Sequence, residues 1–181
     1  MKRNMLLNKE DLEVMLTTAG KTRHPKRDTM ILKFLYYTGC RIGELVEIKV
    51  GQVRNADRIH LTAGQTKRRH PRTVFLNRAL QEELAIYIAS KSDDDALFPS
   101  QKGAQFSKQG LTNMMSKLCK ASGIDDVTSH SFRRSYITRL GIDRNVPVKV
   151  LQELVGHRQL TTTQLYLEVT DMQLQSAVEA A

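Results

Sequence analysis

His130 and Arg133 lie three residues apart, so on a helix they share a face. Ser129, a helix-capping residue type, stands just before them. A helix start offers amide N–H groups and the positive end of a dipole, which suits an anion. An imidazole, a guanidinium and a helix N-terminus together fit a phosphate. Arg41, between Cys40 and Ile42 at the head of a short helix, is a second candidate anion ligand. Lys67 sits at the tip of a basic hairpin, Gly64-Gln65-Thr66-Lys67-Arg68-Arg69-His70-Pro71. His157 follows Gly156 in a helix-ending corner, and Tyr166 comes nine residues later. Taken singly, each has a plainer reading: a solvated charge, a capping-region histidine, a core tyrosine. No Cys/His pair has metal-ligand spacing, and the two cysteines, Cys40 and Cys119, do not suggest a disulfide scaffold.

The charge distribution narrows the partner. The 181 residues carry a formal net charge of +9. Residues 1–78 hold 17 Lys and Arg against 7 Asp and Glu, and residues 79–181 hold 11 against 12. One half therefore carries the whole basic excess. A small acidic substrate does not call for so many cations, whereas a polyanion attracts them all. Hydrophobic residues make up 40% and charged residues 26% of the chain, ordinary for a globular protein with one sizeable core. No apolar run approaches the ~20 residues that span a bilayer, and no signal peptide is evident. The expected setting is cytoplasmic and reducing.

The positioning elements read as mainly α with a small antiparallel β-sheet. Asn8 and Asp11 have capping-box spacing at a first helix, flanked by a Leu7–Leu12 staple. A second helix is expected over about Lys26 to Thr38, ended by Gly39 in a left-handed turn, and a short one begins near Ile42. Arg58 to Leu61 and Thr73 to Leu76 alternate as strands on either side of the basic tip. Asn77 to Ser90 reads as helix, and Asp93-Asp94-Asp95 as a solvated turn. Ser107 caps a helix whose Leu111, Met114, Met115 and Leu118 form the buried stripe, with Gly123 as its stop. Ser129 is expected to cap the next helix, with Phe132, Tyr136, Ile137 and Leu140 inward and Gly141 as the stop. Pro147 fits the first turn of a helix carrying Val148, Leu151, Leu154 and Val155. Thr170 and Gln173 have capping-box spacing for a last helix.

In order along the chain stand Thr38-Gly39-Cys40-Arg41-Ile42-Gly43-Glu44-Leu45, the basic hairpin, His130-Ser131-Phe132-Arg133, Leu154-Val155-Gly156-His157 and Tyr166. This series resembles the signature of the tyrosine recombinase family, which includes phage integrases and Xer-type recombinases. The resemblance runs from about Leu6 to the C-terminal helix. It implies the tyrosine recombinase catalytic-domain fold and an enzyme that cleaves and rejoins DNA strands at specific sites. Arg41 and Arg133 would clamp the non-bridging oxygens of the scissile phosphate. Lys67 would protonate the leaving 5′-oxygen, His130 would assist proton transfer, and His157 would hydrogen-bond the phosphate. Tyr166 would attack to form a 3′-phosphotyrosyl link, with Glu44 buttressing the site. Arg68, Arg69 and Arg72 are expected to contact DNA.

Elementary chemistry agrees with those roles. Phosphoryl transfer needs positioning and charge neutralisation, and arginine can grip two oxygens at once. Tyrosine, with a pKa near 10 in water, needs a cationic pocket or a base to attack. A covalent intermediate conserves the bond energy, so neither ATP nor a metal or other cofactor is expected. Two departures from the family pattern stand out. Glu168 occupies the place two residues after the tyrosine where many relatives have histidine, and Phe132 and Arg134 flank Arg133 where Leu and His are common.

The whole chain, 1–181, is expected to be a single catalytic domain without the N-terminal clamp domain of most relatives. Double-stranded DNA is the expected partner, with a homotetramer on paired sites, a monomer in free solution and a bacterial, phage or plasmid origin. A non-catalytic DNA-binding regulator and a type IB topoisomerase are the competing readings. The complete set from Arg41 to Tyr166 argues against the first, and the lack of a lysine-rich approach to Tyr166 argues against the second.

Overall fold

The computed structural model describes residues 6–66, 71–101, 103–124, 127–165, 167, 175, 178 and 179. Besides short 3-10 and π turns, ten α-helices and strands are assigned there. They are α1 (Lys9–Ala19), α2 (Pro25–Thr38), α3 (Ile42–Leu45), β1 (Arg58–Leu61), β2 (Arg72–Phe75), α4 (Arg78–Ile88), α5 (Lys108–Ala121), α6 (Ser129–Thr138), α7 (Val148–Val155) and α8 (Leu160–Gln164). The architecture is mainly helical with one two-stranded antiparallel sheet. The chain divides into two compact units, residues 1–136 and 137–181.

In the first unit, local sequence signals set the helix ends. Asn8 caps α1: its side chain accepts from the Asp11 N–H at 2.7 Å, and Asp11 returns the bond to the Asn8 N–H at 3.0 Å. Leu7 and Leu12 are both buried, as a staple requires. Ser107 caps α5 through the Gly110 N–H at 2.9 Å. α1 packs on α2 and α5, α2 on α4, and α3 on α5. The buried core joins Leu12, Met15, Ile31, Phe34, Leu35, Leu80, Leu111, Met115 and Phe132. Within it Phe34 and Phe98 meet edge to face at 6.0 Å between ring centroids.

The sheet lies on this core by one face. In its register Ile59 pairs with Val74 and Leu61 with Arg72. Ile59, Leu61 and Val74 are buried, whereas Phe75 is exposed beneath the guanidinium of Arg58. Strand β2 thus begins at Arg72, one residue earlier than the apolar run Thr73 to Leu76 suggests. The segment after α3 is tied down by Leu97 N–H to the Ile48 carbonyl at 2.9 Å and Val50 N–H to the Asp95 carbonyl at 3.0 Å.

Several expected helix boundaries move: α4 ends at Ile88 rather than Ser90, and Pro147 precedes α7 instead of lying in its first turn. Ser129 is already inside α6, so it does not precede the helix as a cap. Thr128 stands before it, with its N–H donating to the Ser131 hydroxyl at 3.1 Å. Gly141 does not stop a helix, because α6 runs into a π-helical turn, Arg139–Asp143. In the second unit a Cβ on Gly141 would meet the methyl ends of Leu151 and Leu167, which would have to shift. Close packing, not chain reversal, is what favours glycine there. α7 packs against α8 and against the π turn, with Leu151 and Val155 fully buried. Gly156, with φ at 64°, supplies the left-handed residue that ends α7.

The expected helix starting at Thr170 falls outside the described residues. Among the described residues, no helix is long and apolar enough to cross a membrane.

Candidate functional site

Helix α2 ends at Gly39, whose φ of 59° and ψ of 22° turn the chain sharply. The Thr38 hydroxyl braces the turn, donating to the Phe34 carbonyl at 2.6 Å and accepting from the Cys40 N–H at 3.2 Å. Two residues on, Arg41 takes the extended position before α3, and its carbonyl accepts from the Glu44 and Leu45 N–H groups at 2.9 Å. Glycine is needed at 39 for a second reason. A Cβ there would stand 2.6 Å from the Tyr136 ring.

Glu44 is the centre of the site. Its carboxylate is 1% exposed and accepts from Arg41 NH1 at 2.7 Å and from the Arg41 main-chain N–H at 3.0 Å. Arg72, reaching in from β2, donates to both carboxylate oxygens, through Nε at 3.1 Å and NH2 at 2.7 Å. The Cys40 thiol lies 3.6 Å from the same carboxylate. Burial alone would raise the Glu44 pKa, but the Arg72 and Arg41 guanidiniums outweigh it and hold it down to about 2. The neighbouring thiol goes the other way. Burial, then the Glu44 charge, push Cys40 up to about 12, so it stays protonated.

Arg133 projects from α6 toward the same turn. It is buried, and NH1 donates to the Gly39 carbonyl at 2.8 Å. Burial, then the charges of Arg41 and Arg72, push its pKa down to about 9. A cation in such surroundings is held at an energetic disadvantage that a bound anion removes. Helix α6 is itself anchored, because the Ser135 hydroxyl donates to the Ser131 carbonyl at 2.8 Å and accepts from the Leu7 N–H at 2.6 Å. His130, in the first turn of α6, is exposed.

The first unit thus brings Arg41, Glu44, Arg72 and Arg133 into one cluster of three guanidiniums and one carboxylate. Arg72 is placed differently from a solvent-facing hairpin cation: its side chain is 7% exposed and turned onto Glu44. Arg72 and Val74 occupy alternate positions of β2 and share the inward face. That period-2 pattern was the available signal for its inward direction. Cys40 and the Gly39 carbonyl, which the reading by residue type passed over, also line the cluster. Lys67, Arg68, Arg69 and Tyr166 lie outside the described residues.

His157 belongs to the second unit. It follows Gly156, and its Nδ1 lies 2.9 Å from the hydroxyl of the fully buried Thr163. The Gln152 amide donates to the His157 carbonyl at 2.9 Å and to that of Arg158 at 3.2 Å, fixing the corner. Thr163 and Gln152 were not singled out by residue type. Their spacing from His157 carries no signal until α7 and α8 are packed. Among the described residues, no group of three His, Cys, Asp or Glu could hold a metal ion.

The same arrangement of helices and sheet occurs in solved recombinases. The crystal structure of XerA recombinase aligns with a TM-score of 0.79 at 24% identity, covering 99% of this chain and 64% of that one. The Tn1549 transposon integrase, solved in complex with transposon right end DNA, aligns at 0.82 and 17% identity, covering 99% and 67%. The fold is therefore that of a tyrosine recombinase catalytic domain. A family model for the phage integrase family matches residues 5–173, and the chain belongs to that family. The tyrosine recombinase XerC of Herpetosiphon aurantiacus is 34% identical over 169 residues, 90% of this chain and 54% of that protein. The chain spans about half the length of the curated relatives it matches.

Proposed function

We propose that this chain is the catalytic part of a site-specific DNA recombinase or integrase that breaks and rejoins strands through a 3′-phosphotyrosyl intermediate. The observation that carries the reading is Arg133, a buried guanidinium set beside Arg41 and Arg72, with Glu44 as the carboxylate of the cluster. Three guanidiniums gathered around one carboxylate in partly buried surroundings suit a phosphodiester.

In this mechanism Arg41 and Arg133 hold the non-bridging oxygens of the scissile phosphate. The Tyr166 hydroxyl oxygen attacks phosphorus, and the bond to the 5′-oxygen breaks. Lys67 gives that oxygen its proton, while His130 assists removal of the tyrosine proton. His157 donates a hydrogen bond to the phosphate, and Arg68 and Arg69 contact neighbouring DNA. Rejoining reverses the steps with a new 5′-hydroxyl, so neither nucleotide nor metal is consumed. Double-stranded DNA is the substrate, in a cytoplasmic, DNA-associated setting. Protomers act as a tetramer on paired sites and separate into monomers without DNA.

The test is incubation with a nicked suicide duplex made from DNA flanking the gene, with excess EDTA and no nucleotide. A denaturing gel should show protein covalently joined to DNA for the native chain and none for Tyr166→Phe. Covalent complex with the Phe variant removes Tyr166 as nucleophile, and strand cleavage only on addition of a divalent ion replaces this mechanism with a metal nuclease.

A further inference from the structure

We infer that Arg72 is a positioning residue for Arg41, acting through the carboxylate of Glu44. The inference rests on the proposed phosphate-holding role of Arg41.

The carboxylate lies between two arginines of unequal burial. Arg72 is 7% exposed, Glu44 1% and Arg41 32%. Arg72 is the more buried of the two arginines, and its fork takes both oxygens of the carboxylate. Arg41 is the more exposed, and its side chain touches Glu44 through NH1. A carboxylate this deeply buried is strongly unfavourable unless a cation meets it. Arg72 meets it on both oxygens, so the Arg72–Glu44 pair is close to neutral. Arg41 is then aimed by Glu44 without having to neutralise it alone.

Without Arg72 the balance changes. Arg41 would have to neutralise Glu44 as well as the phosphate, and the cluster would lose one positive charge. A carboxylate gripped on both oxygens also has a fixed plane. Released from that grip it could rotate, and the Arg41 guanidinium would follow it inward. The placement of Arg72 is secured by the strand. Its backbone pairs with Leu61 across the sheet, and its neighbour but one, Val74, is buried in the core.

A different role is possible for the same contacts: Arg72 could simply tie β2 to α3. The two roles separate on the charge of Glu44. If Arg72 works by neutralising Glu44, replacing the carboxylate with its uncharged isostere makes Arg72 dispensable. If it is a tie, loss of both partners leaves the strand equally loose.

The experiment compares the native chain, Arg72→Met, Glu44→Gln and the double variant in single-turnover cleavage of the suicide duplex. Arg41 reactivity toward phenylglyoxal, located by peptide mass spectrometry with and without inorganic phosphate, is followed in parallel. Arg72→Met should slow cleavage by about tenfold or more at saturating DNA, with DNA affinity little changed. It should also slow modification of Arg41. The double variant should return to within about threefold of Glu44→Gln alone in both measurements.

Arg72→Lys keeps the charge without the fork. It should fall between the native chain and Arg72→Met, with the same recovery on Glu44→Gln, and it replaces the Met variant if that protein does not fold. Native cleavage and native Arg41 reactivity in the Arg72 variants would overturn the inference. So would a double variant that cleaves no faster than Arg72→Met, the result expected of a plain tie between β2 and α3. A native chain that cleaves no DNA, yet shows the Arg41 changes and their recovery, supports the positioning role and defeats the recombinase reading instead.

Discussion

Arg133 NH1 donates to the main-chain carbonyl of Gly39 at 2.8 Å, across 94 positions of sequence. The bond joins α6 to the turn that presents Arg41. One contact thus links the two arginines proposed to hold phosphate, through the glycine that offers the carbonyl.

Gly39→Ala should destabilise the protein by about 2 kcal/mol or more. A non-glycine residue in the left-handed region costs about 1–2 kcal/mol, and here the new methyl would also press on the Tyr136 ring. Urea denaturation with an unchanged slope would measure it. A midpoint equal to that of the native protein would mean that the turn relaxes without effect on its surroundings. The variant should also cleave DNA more slowly than its stability loss explains.

Arg41→Ala and Arg133→Ala should each slow covalent complex formation by at least ~10²-fold, the usual effect of removing one donor to transition-state charge. Lysine should not restore either fully, because a point charge cannot make a paired contact. Native rates for Lys at either position would remove the bidentate clamp from the mechanism.

The buried carboxylate gives a signed pH dependence. Glu44 titrates at about 2 in the folded protein, against an ordinary carboxylate value of about 4.3 in an unfolded chain. Its contribution is fully present above the unfolded value and is lost as pH falls toward 2. The size is about 3 kcal/mol, from the linkage between a pKa shift and stability. Denaturation midpoints of the native chain and Glu44→Gln, compared at pH 6 and near pH 3, should converge as the solution is acidified. A constant difference across that range would show that Glu44 is not held ionised by its arginines.

Arg133 carries the opposite sign. Its pKa is lowered on folding to about 9, so at neutral pH the buried cation opposes folding. Anions that enter the cluster should relieve this. Phosphate or sulfate should raise Tm above chloride at equal ionic strength, by the mass-action stabilisation of a bound state. Arg133→Met should remove most of the difference, which separates a site from general salting. Equal melting of both proteins in both salts would deny an anion site at Arg133.

The legible and illegible parts of this fold differ by the range of the forces involved. Asn8 with Asp11, Gly39 and Ser107 mark their helix ends through bonds that close within a few residues, and each does so where its residue type suggests. The bounds of β1 follow from alternation in the same way. Arg72 is only partly legible: alternation with Val74 gives its inward face, but its partner Glu44 is set by folding, and composition marks it only as one more cation of a basic hairpin. Gly141 reads as a helix stop by type. Its actual constraint is the approach of Leu151 and Leu167, which no local pattern contains. The boundary at Ser129 slipped for a smaller reason: Thr128 and Ser129 are both capping types, and local chemistry does not choose between neighbours.

The hydroxyl of Thr163 should set the tautomer of His157. The two atoms, Thr163 Oγ1 and His157 Nδ1, are 2.9 Å apart. A neutral imidazole carries its proton on one nitrogen only. To donate to a phosphate from Nε2, as the mechanism requires, Nδ1 must accept, and the Thr163 hydroxyl is a donor in reach. Thr163 is fully buried, so water does not readily take over that bond. Thr163→Val keeps the shape and removes the donor. It should slow cleavage by about tenfold, consistent with the loss of activity when an outer partner of a functional histidine is removed. Thr163→Ser keeps the hydroxyl and should stay within about threefold of the native rate. Heteronuclear NMR of the imidazole nitrogens should show Nε2 protonated in the native chain and mixed protonation in Thr163→Val. A native spectrum with the proton on Nδ1 would assign the donor role to His157 toward Thr163, and His157 could then reach the phosphate as a donor only in its charged form.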